Sequence, residues 1–236
     1  MPEQTFSTLL LIARPAAGKS EVINYLKNTP LPDRIRRFHI GAFSEIDDFP
    51  MLWAWFEEDA LLARMGHPRL HTDAEGYFKE DYLWRLLIER IGLEYQKRRR
   101  DGAEETIIIE FSRGAEHGGY EEAFAHLTDQ ILTNLAILYI DVPWEESLRK
   151  NRARFNPKRP DSILEHGLSD EKLERLYRET DWETLTENAP ERLRINGHDV
   201  PYVVFDNTDD VTTAQGPELG MRLEAVLGEL WDLYQD

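Results

Sequence analysis

Five short apolar runs recur along the chain, and the stretches between them carry helical patterns of apolar residues. A continuous run of this kind, rich in β-branched residues, is typical of a strand that is buried on both faces. Strands that alternate with helices predict a parallel sheet with helices on both faces. The five predicted strands are Thr8 to Ala13, Ile35 to Phe43, Glu105 to Glu110, Leu135 to Asp141 and Val200 to Phe205.

The length of 236 residues suits one large α/β domain, which we predict to span residues 1–236 with a helical insert at about 47–101. Neither an internal repeat nor a Pro/Gly/Ser-rich linker divides the sequence. A helix should follow the first strand and stop at Pro30. Further helices are predicted at residues 51–65, 78–100, 119–132, 145–154, 169–188 and 217–234.

Composition excludes several kinds of chemistry. The 45 Asp+Glu exceed the 28 Lys+Arg by 17, and this net negative charge argues against nucleic-acid partners and polybasic membrane contacts. The absence of cysteine excludes disulfides, thiolate catalysis and iron–sulfur clusters. No apolar stretch approaches 18 residues, and the N-terminus lacks the basic flank of a signal peptide. We therefore expect a cytoplasmic protein without a membrane span.

A small-residue loop follows the first predicted strand and precedes a helical pattern. Backbone N–H groups of such a turn, and of the first helical turn, can point at phosphate oxygens. Gly18 would let the backbone approach the phosphates, Lys19 would reach the β- and γ-phosphates, and the Ser20 hydroxyl would ligate Mg²⁺. The alternative is a chance turn with an exposed lysine. The candidate nucleotide-binding residues are Ala13, Arg14, Pro15, Ala16, Ala17, Gly18, Lys19, Ser20 and Glu21.

In this strand–loop–helix context the chain resembles the P-loop kinases of nucleosides, nucleotides and other small molecules. Ala13 stands where the family usually has its first glycine. The resemblance implies a three-layer α/β/α fold with a five-stranded parallel sheet, an insert and a lid. It further implies ATP and Mg²⁺ as co-substrate and cofactor, and phosphoryl transfer to a small-molecule acceptor.

The segment Ile46-Asp47-Asp48-Phe49 resembles the D-x-F segment of uridine kinases. In that family the first acid accepts the proton of the acceptor hydroxyl, and the resemblance gives this role to Asp47. Phosphoryl transfer needs one carboxylate near the nucleophile, so the chemistry is reasonable. Alternatively, Asp47 or Asp48 caps the helix that Pro50 helps to begin.

Glu110 ends the third predicted strand, where P-loop proteins usually carry an acid that orients the magnesium shell. We predict that it contacts Mg²⁺ and the substrates. Arg113 follows in a segment that faintly resembles the D-G-F-P-R segment of nucleotide monophosphate kinases, whose arginine holds the phosphate of the acceptor. Alternatively, Arg113 is a surface residue of the loop that continues to Gly118.

Nine of the chain's 25 aromatic residues fall between Phe49 and Tyr95. Rings in this segment could stack on a base or enclose a sugar. Their helical spacing predicts that most of them form the core of the insert.

The segment 149–159 holds six basic residues and no acidic one, inside an acidic chain. It resembles the arginine-bearing lid of this kinase superfamily, here at about residues 149–168. A guanidinium group can form two hydrogen bonds to the oxygens of a phosphoryl group while that group is being transferred. Arg152 and Arg154 are the candidate catalytic arginines, with Arg149 and Arg159 behind them. The alternative is a solvated basic face.

Asp206-Asn207-Thr208 follows the last predicted strand. In the resembled kinases this loop packs against adenine, and Asn207 is the candidate contact. Asn207 could equally form an Asx turn.

Together these features predict an enzyme that moves the γ-phosphate of ATP to a hydroxyl of a nucleoside- or sugar-like molecule. A nucleoside monophosphate kinase, a nucleotide switch and a binding module with a decayed acceptor site are the alternatives. The guanine-reading N-K-x-D motif and the L-S-G-G-Q signature are absent. Oligomeric state is left open.

Overall fold

Six strands form one mixed sheet in the computed structural model, which describes residues 5–101, 105–154, 158 and 167–236. The order across the sheet is β2-β3-β1-β4-β6-β5, and only the β5–β6 pair is antiparallel. The strands are β1 (Thr8–Ala13), β2 (Phe43–Asp47), β3 (Thr106–Phe111), β4 (Leu135–Asp141), β5 (Arg192–Ile195) and β6 (His198–Asp206).

The central strand β1 shows why the first apolar run folds as it does. Its six residues are all buried, because β3 and β4 flank it and helices cover both of its faces. Leu9 and Leu11 point to one helical layer, whereas Leu10 and Ile12 point to the other. A continuous apolar run is what a strand in this position requires.

Helices cover both faces of the sheet. One layer contains α1 (Lys19–Asn28), α2 (Leu31–Phe38) and α11 (Pro217–Gln235). The other contains α4 (Tyr82–Arg100), α5 (Gly119–Ala125), α6 (Asp129–Leu132) and α9 (Trp182–Thr186). A third apolar cluster joins α3 (Phe49–Arg64), α4 and α8 (Asp170–Tyr177) at the end of the sheet. The remaining elements are α7 (Trp144–Arg154), a 3-10 turn at Ala115–His117 and α10 (Val211–Ala214).

Two predictions about the strands are wrong. The strand predicted at Ile35 to Phe43 belongs to helix α2 as far as Phe38, and β2 begins only at Phe43. Ile35 and Phe38 are three residues apart, a helical spacing, and arginines occupy the other side of the helix. The predicted sheet of five parallel strands also lacked β5, an edge strand of four residues in which arginines alternate with apolar residues.

Two predicted helices are shorter than expected. The helix at 169–188 is divided into α8 and α9, and Ser169 accepts a hydrogen bond at the start of α8, as a cap should. The helix at 119–132 is divided into α5 and α6. Among the described residues, no helix is long and apolar enough to cross a membrane.

Asp59 is a fully buried carboxylate in α3 that holds the following loop. It accepts hydrogen bonds from the backbone N–H groups of Leu70, His71 and Thr72 and from the Thr72 hydroxyl, at 2.6 to 2.9 Å. These hydrogen bonds lower the pKa of Asp59 to about 2, against the opposing effect of burial. The ionised carboxylate therefore stabilises the fold.

We expect Asp59→Asn to lower the free energy of unfolding by about 2 kcal/mol at pH 7, since an amide accepts these hydrogen bonds less well. The folded-state pKa of about 2 lies below the ordinary 3.8. The stabilisation by the Asp59 carboxylate is therefore complete above pH 3.8 and is lost as the pH falls through 2. The difference in free energy of unfolding between the wild-type protein and Asp59→Asn should shrink over this pH range. Urea unfolding across this range tests it, with the exposed Glu58→Gln of the same helix as control.

Candidate functional site

The loop between β1 and α1 turns through two residues with positive φ, Ala16 at 58° and Gly18 at 115°. A Cβ on Gly18 would lie 2.7 Å from the Thr212 hydroxyl oxygen, so both the backbone conformation and the close approach require glycine. Residues 15–21 line a cavity of about 530 Å³. The turn therefore forms one wall of this cavity.

Two distant side chains fasten this loop from behind. The Ser147 hydroxyl donates to the Pro15 carbonyl at 2.7 Å, and the Asn207 amide donates to the Ala17 carbonyl at 2.9 Å. Asn207 is fully buried and also bonds to the Thr212 hydroxyl and backbone. Its amide is thus committed to the loop, and the Asx turn of this segment is made instead by Asp206.

Lys19 begins α1 and lies half-buried among carboxylates. Its ammonium donates to the Ser112 hydroxyl at 2.7 Å. Burial lowers the pKa of Lys19, whereas the charges of Glu110 and Asp47 oppose this effect. The ammonium therefore faces the same cavity as the loop, next to the ends of two strands.

Asp47 and Glu110 are direct neighbours in the parallel pairing of β2 with β3. Burial raises the pKa of Asp47 to about 7, and the charges of Glu110 and Asp48 add to the effect. One Asp47 oxygen accepts the Phe49 N–H at 2.9 Å, which supports the start of α3. The N-cap position of α3 is Asp48, which makes no side-chain capping bond, so Asp47 contacts the first residue of the helix from one position earlier while it also lines the cavity.

Glu110 is only 8% exposed, and burial raises the pKa of its carboxyl group while Lys19 opposes that shift. Within the described part of the chain, no hydrogen-bond donor or ion-pair partner is recorded for its carboxylate. A carboxylate in so poorly solvated a place is stabilised by a nearby cation, and Lys19 supplies such a charge at the cavity wall.

Arg113 is 3% exposed and is held on all sides. It forms an ion pair with Asp48 at 2.7 Å and donates to the Ser112 and Trp84 carbonyls. Its guanidinium also lies 5.3 Å from the Trp84 ring centre and 5.1 Å from that of Phe111. Arg113 lines the cavity, so the surface-loop alternative is wrong.

The basic residues of α7 point in different directions. Arg152 is 60% exposed and pairs with Asp170 at 2.6 Å, away from the residues that line the cavity. Arg154 lines the cavity and acts electrostatically on Lys19 and Glu110. Arg149 pairs with Glu146 and Asp210. The predicted lid is described at 149–154, 158 and 167–168, so Arg159 lies outside the described residues.

Lys150 is a site residue that the sequence analysis missed. It is 8% exposed and lines the cavity, where its ammonium lies 2.7 Å from Asp210 and 3.3 Å from Glu21. It joins α7 to α1 and α10. In the sequence, only its position in the basic run 149–159 suggests that Lys150 belongs to the site. The arginines of that run have the same feature, so the sequence does not single out Lys150.

The other loop residues that we predicted to bind nucleotide occupy different positions. Pro15, Ala16, Ala17, Ser20 and Glu21 line the cavity. Ala13 is fully buried in the core, and Arg14 donates to the Val142 and Arg178 carbonyls outside the cavity lining.

The cavity has two halves. The phosphate half is formed by the loop, Lys19 and the α7 side chains Arg149, Lys150 and Arg154. The half that we call the acceptor half is lined by Asp47, Asp48, Phe49, Leu52, Trp84, Phe111, Ser112, Arg113, Leu168 and Tyr177. A second cavity of about 730 Å³ meets the first at Ser20, Asp47, Phe49, Glu110 and Arg154.

Comparison with family models and with curated proteins gives no match. Solved structures give distant ones. An unliganded sugar kinase from Janibacter sp. HTCC2649 is 15% identical, with 97% of this chain and 98% of that chain covered and a TM-score of 0.45. TT1252 from Thermus thermophilus is 17% identical, with 96% and 98% covered and a TM-score of 0.44. At these values function has to be inferred from the side chains of the site.

We expect Asp47→Asn to stabilise the protein at pH 8 more than at pH 5. The pKa of Asp47 is about 7 in the folded protein against an ordinary 3.8, so the unfolded chain loses this proton first and the stability falls as the pH rises from 3.8 to about 7. Partial exposure limits the gain at pH 8 to roughly 1–2 kcal/mol. Urea unfolding at both pH values measures it, and the exposed Asp101→Asn should show no such pH dependence.

Proposed function

We propose that this protein is an ATP- and Mg²⁺-dependent phosphotransferase that moves the γ-phosphoryl group of ATP to a hydroxyl of a small molecule. One observation carries the proposal: the turn after β1, Lys19 and the carboxylates of Asp47 and Glu110 line a single cavity. Phosphoryl transfer needs these three functions together, which are anion binding, charge neutralisation and a carboxylate near the nucleophile.

The phosphate half would hold the triphosphate. The backbone of the loop and of the first turn of α1 would offer N–H donors to the phosphate oxygens. The N-terminus of a helix also carries a partial positive charge, which favours an anion there. Lys19 would stabilise the negative charge of the transferred group. Arg154 lines the same half and would add positive charge as α7 contacts the nucleotide, whereas Lys150 is already paired with Asp210 and Glu21.

Two residues suit magnesium. Mg²⁺ is usually bound in such enzymes by one or two protein oxygens together with phosphate oxygens and waters. The Ser20 hydroxyl and the Glu110 carboxylate would supply such oxygens, and no cluster of three acid or imidazole side chains suited to a metal occurs among the described residues. When bound, Mg²⁺ neutralises phosphate charge.

Asp47 would accept the proton of the acceptor. In the proposed step, the acceptor oxygen forms a bond to the γ-phosphorus, the bond to the ADP oxygen breaks, and the hydroxyl proton passes to Asp47. A pKa of about 7 suits a group that takes up a proton near neutral pH. Since one oxygen accepts the Phe49 N–H, the other remains for the substrate.

The first experiment measures ADP release from Mg·ATP with a panel of nucleosides, nucleoside monophosphates, sugars and small alcohols. Stimulation by one hydroxyl compound supports the proposal and identifies the acceptor. A flat response with ATP binding intact would overturn it in favour of a nucleotide switch or a binding module.

Lys19→Ala should abolish acceptor-stimulated ADP release, or lower it by at least about 100-fold, because the γ-phosphoryl group loses its nearest fixed cation. The exposed Lys79→Ala removes the same charge outside the lining of both cavities and should keep full activity. Unchanged turnover in Lys19→Ala would refute the assignment of the loop.

Asp47→Asn should lower turnover with the alcohol acceptor by about 10² to 10⁴, the usual contribution of a general base. ATP affinity, measured by titration calorimetry, should stay within a few-fold, since Asp47 contacts the acceptor rather than the nucleotide. If the variant keeps its turnover, the base lies elsewhere.

A further inference from the structure

The acceptor half carries one arginine, and that arginine is already neutralised. Among the described residues that line this half, the charged groups are Asp47, Asp48 and Arg113. We propose that the acceptor is an uncharged hydroxyl compound with an apolar ring face, and that Asp48 sets this specificity by occupying Arg113. The proposal rests on the function inferred above and adds the charge of the substrate to it.

The guanidinium of Arg113 has little left to offer a phosphate or carboxylate. Asp48 lies 2.7 Å from Nη1, which also donates to the Ser112 carbonyl, and Nη2 donates to the Trp84 carbonyl at 3.4 Å. Trp84 and Phe111 contact the guanidinium through their rings. The side chains of Arg113 and Asp48 are 3% and 8% exposed. An anionic acceptor would therefore have to displace a buried, well-packed carboxylate.

The charge of the surroundings acts in the same direction. With Arg113 paired to Asp48, Asp47 is the remaining ionisable group of the acceptor half and is partly ionised near neutral pH, and Glu110 lies beside it in the neighbouring strand. Lys19 faces these carboxylates from the phosphate half. A phosphorylated acceptor would bring a second anion next to them, and like charges in a poorly solvated site repel strongly. An uncharged acceptor avoids this cost.

The remaining walls are apolar and partly aromatic. Trp84 and Tyr177 are buried in the third apolar cluster and still line the cavity, together with Phe49, Leu52 and Leu168. Such walls suit the flat face of a base or the C–H face of a sugar ring. Asp47 lies at the same opening and would receive the hydroxyl of that ring compound.

The test compares matched acceptors, each a nucleoside or sugar and its phosphate monoester, by ADP release with Mg·ATP. In the wild-type protein the uncharged member of the active pair should have at least about tenfold higher kcat/KM. Asp48→Asn frees the guanidinium, so the ratio should move by about tenfold or more toward the monoester. Asp33→Asn, which removes the partner of the exposed Arg36, is the matched control and should leave the ratio unchanged.

A second measurement does not depend on turnover. The side-chain Nε–H resonance of Arg113, identified by its loss in Arg113→Lys, is followed in the presence of Mg·ADP during titration with inorganic phosphate. The wild-type resonance should not move, whereas that of Asp48→Asn should shift.

The outcomes separate the two proposals. A phosphate-dependent shift of Arg113 in the wild-type protein, or a wild-type preference for the monoester, would overturn the role of Asp48. An unchanged ratio in a folded Asp48→Asn would do the same. If that variant does not fold, the two wild-type measurements still decide. Absence of ADP release with every acceptor would refute the proposed function, while the Arg113 titration would still report on the pair.

Discussion

The geometry of the site depends on how the loop after β1 is fastened. The Pro15 and Ala17 carbonyls of this loop accept hydrogen bonds from Ser147 and Asn207, which lie far away in the sequence. Asn207 follows the end of β6 and Ser147 lies in α7. Hydrogen bonds from both of these elements therefore hold the loop after β1 in place. Gly18 fits under Thr212 because it has no Cβ.

The parallel sheet then sets the electrostatics. Because β2, β3 and β1 run in the same direction, their carboxyl ends deliver Asp47, Glu110 and the loop to one edge. Two neighbouring carboxylates in a poorly solvated place repel each other, which is why burial and charge together raise the pKa of Asp47 to about 7. This arrangement costs stability in the absence of ligand, as binding sites for cations and phosphates often do.

The strands that the sequence predicted well are those with no competing pattern. β1 and β4 begin and end at the predicted residues, because an apolar run buried on both faces has no helical alternative of that length. The prediction was wrong around Ile35, where basic residues separate the apolar ones and either period fits a short window. It also lacked β5, whose four residues alternate and pair only with β6.

The loop, its lysine and the acids near the ends of two strands could be predicted from the sequence, since they depend on neighbours along the chain. Which side chains are already engaged depends on how distant segments pack. Asp48 pairs with Arg113, Lys150 with Asp210, and Asn207 with Ala17, across 65, 60 and 190 positions of the chain. Local patterns carry no signal for such contacts, because they form only when packing brings distant segments within hydrogen-bond distance.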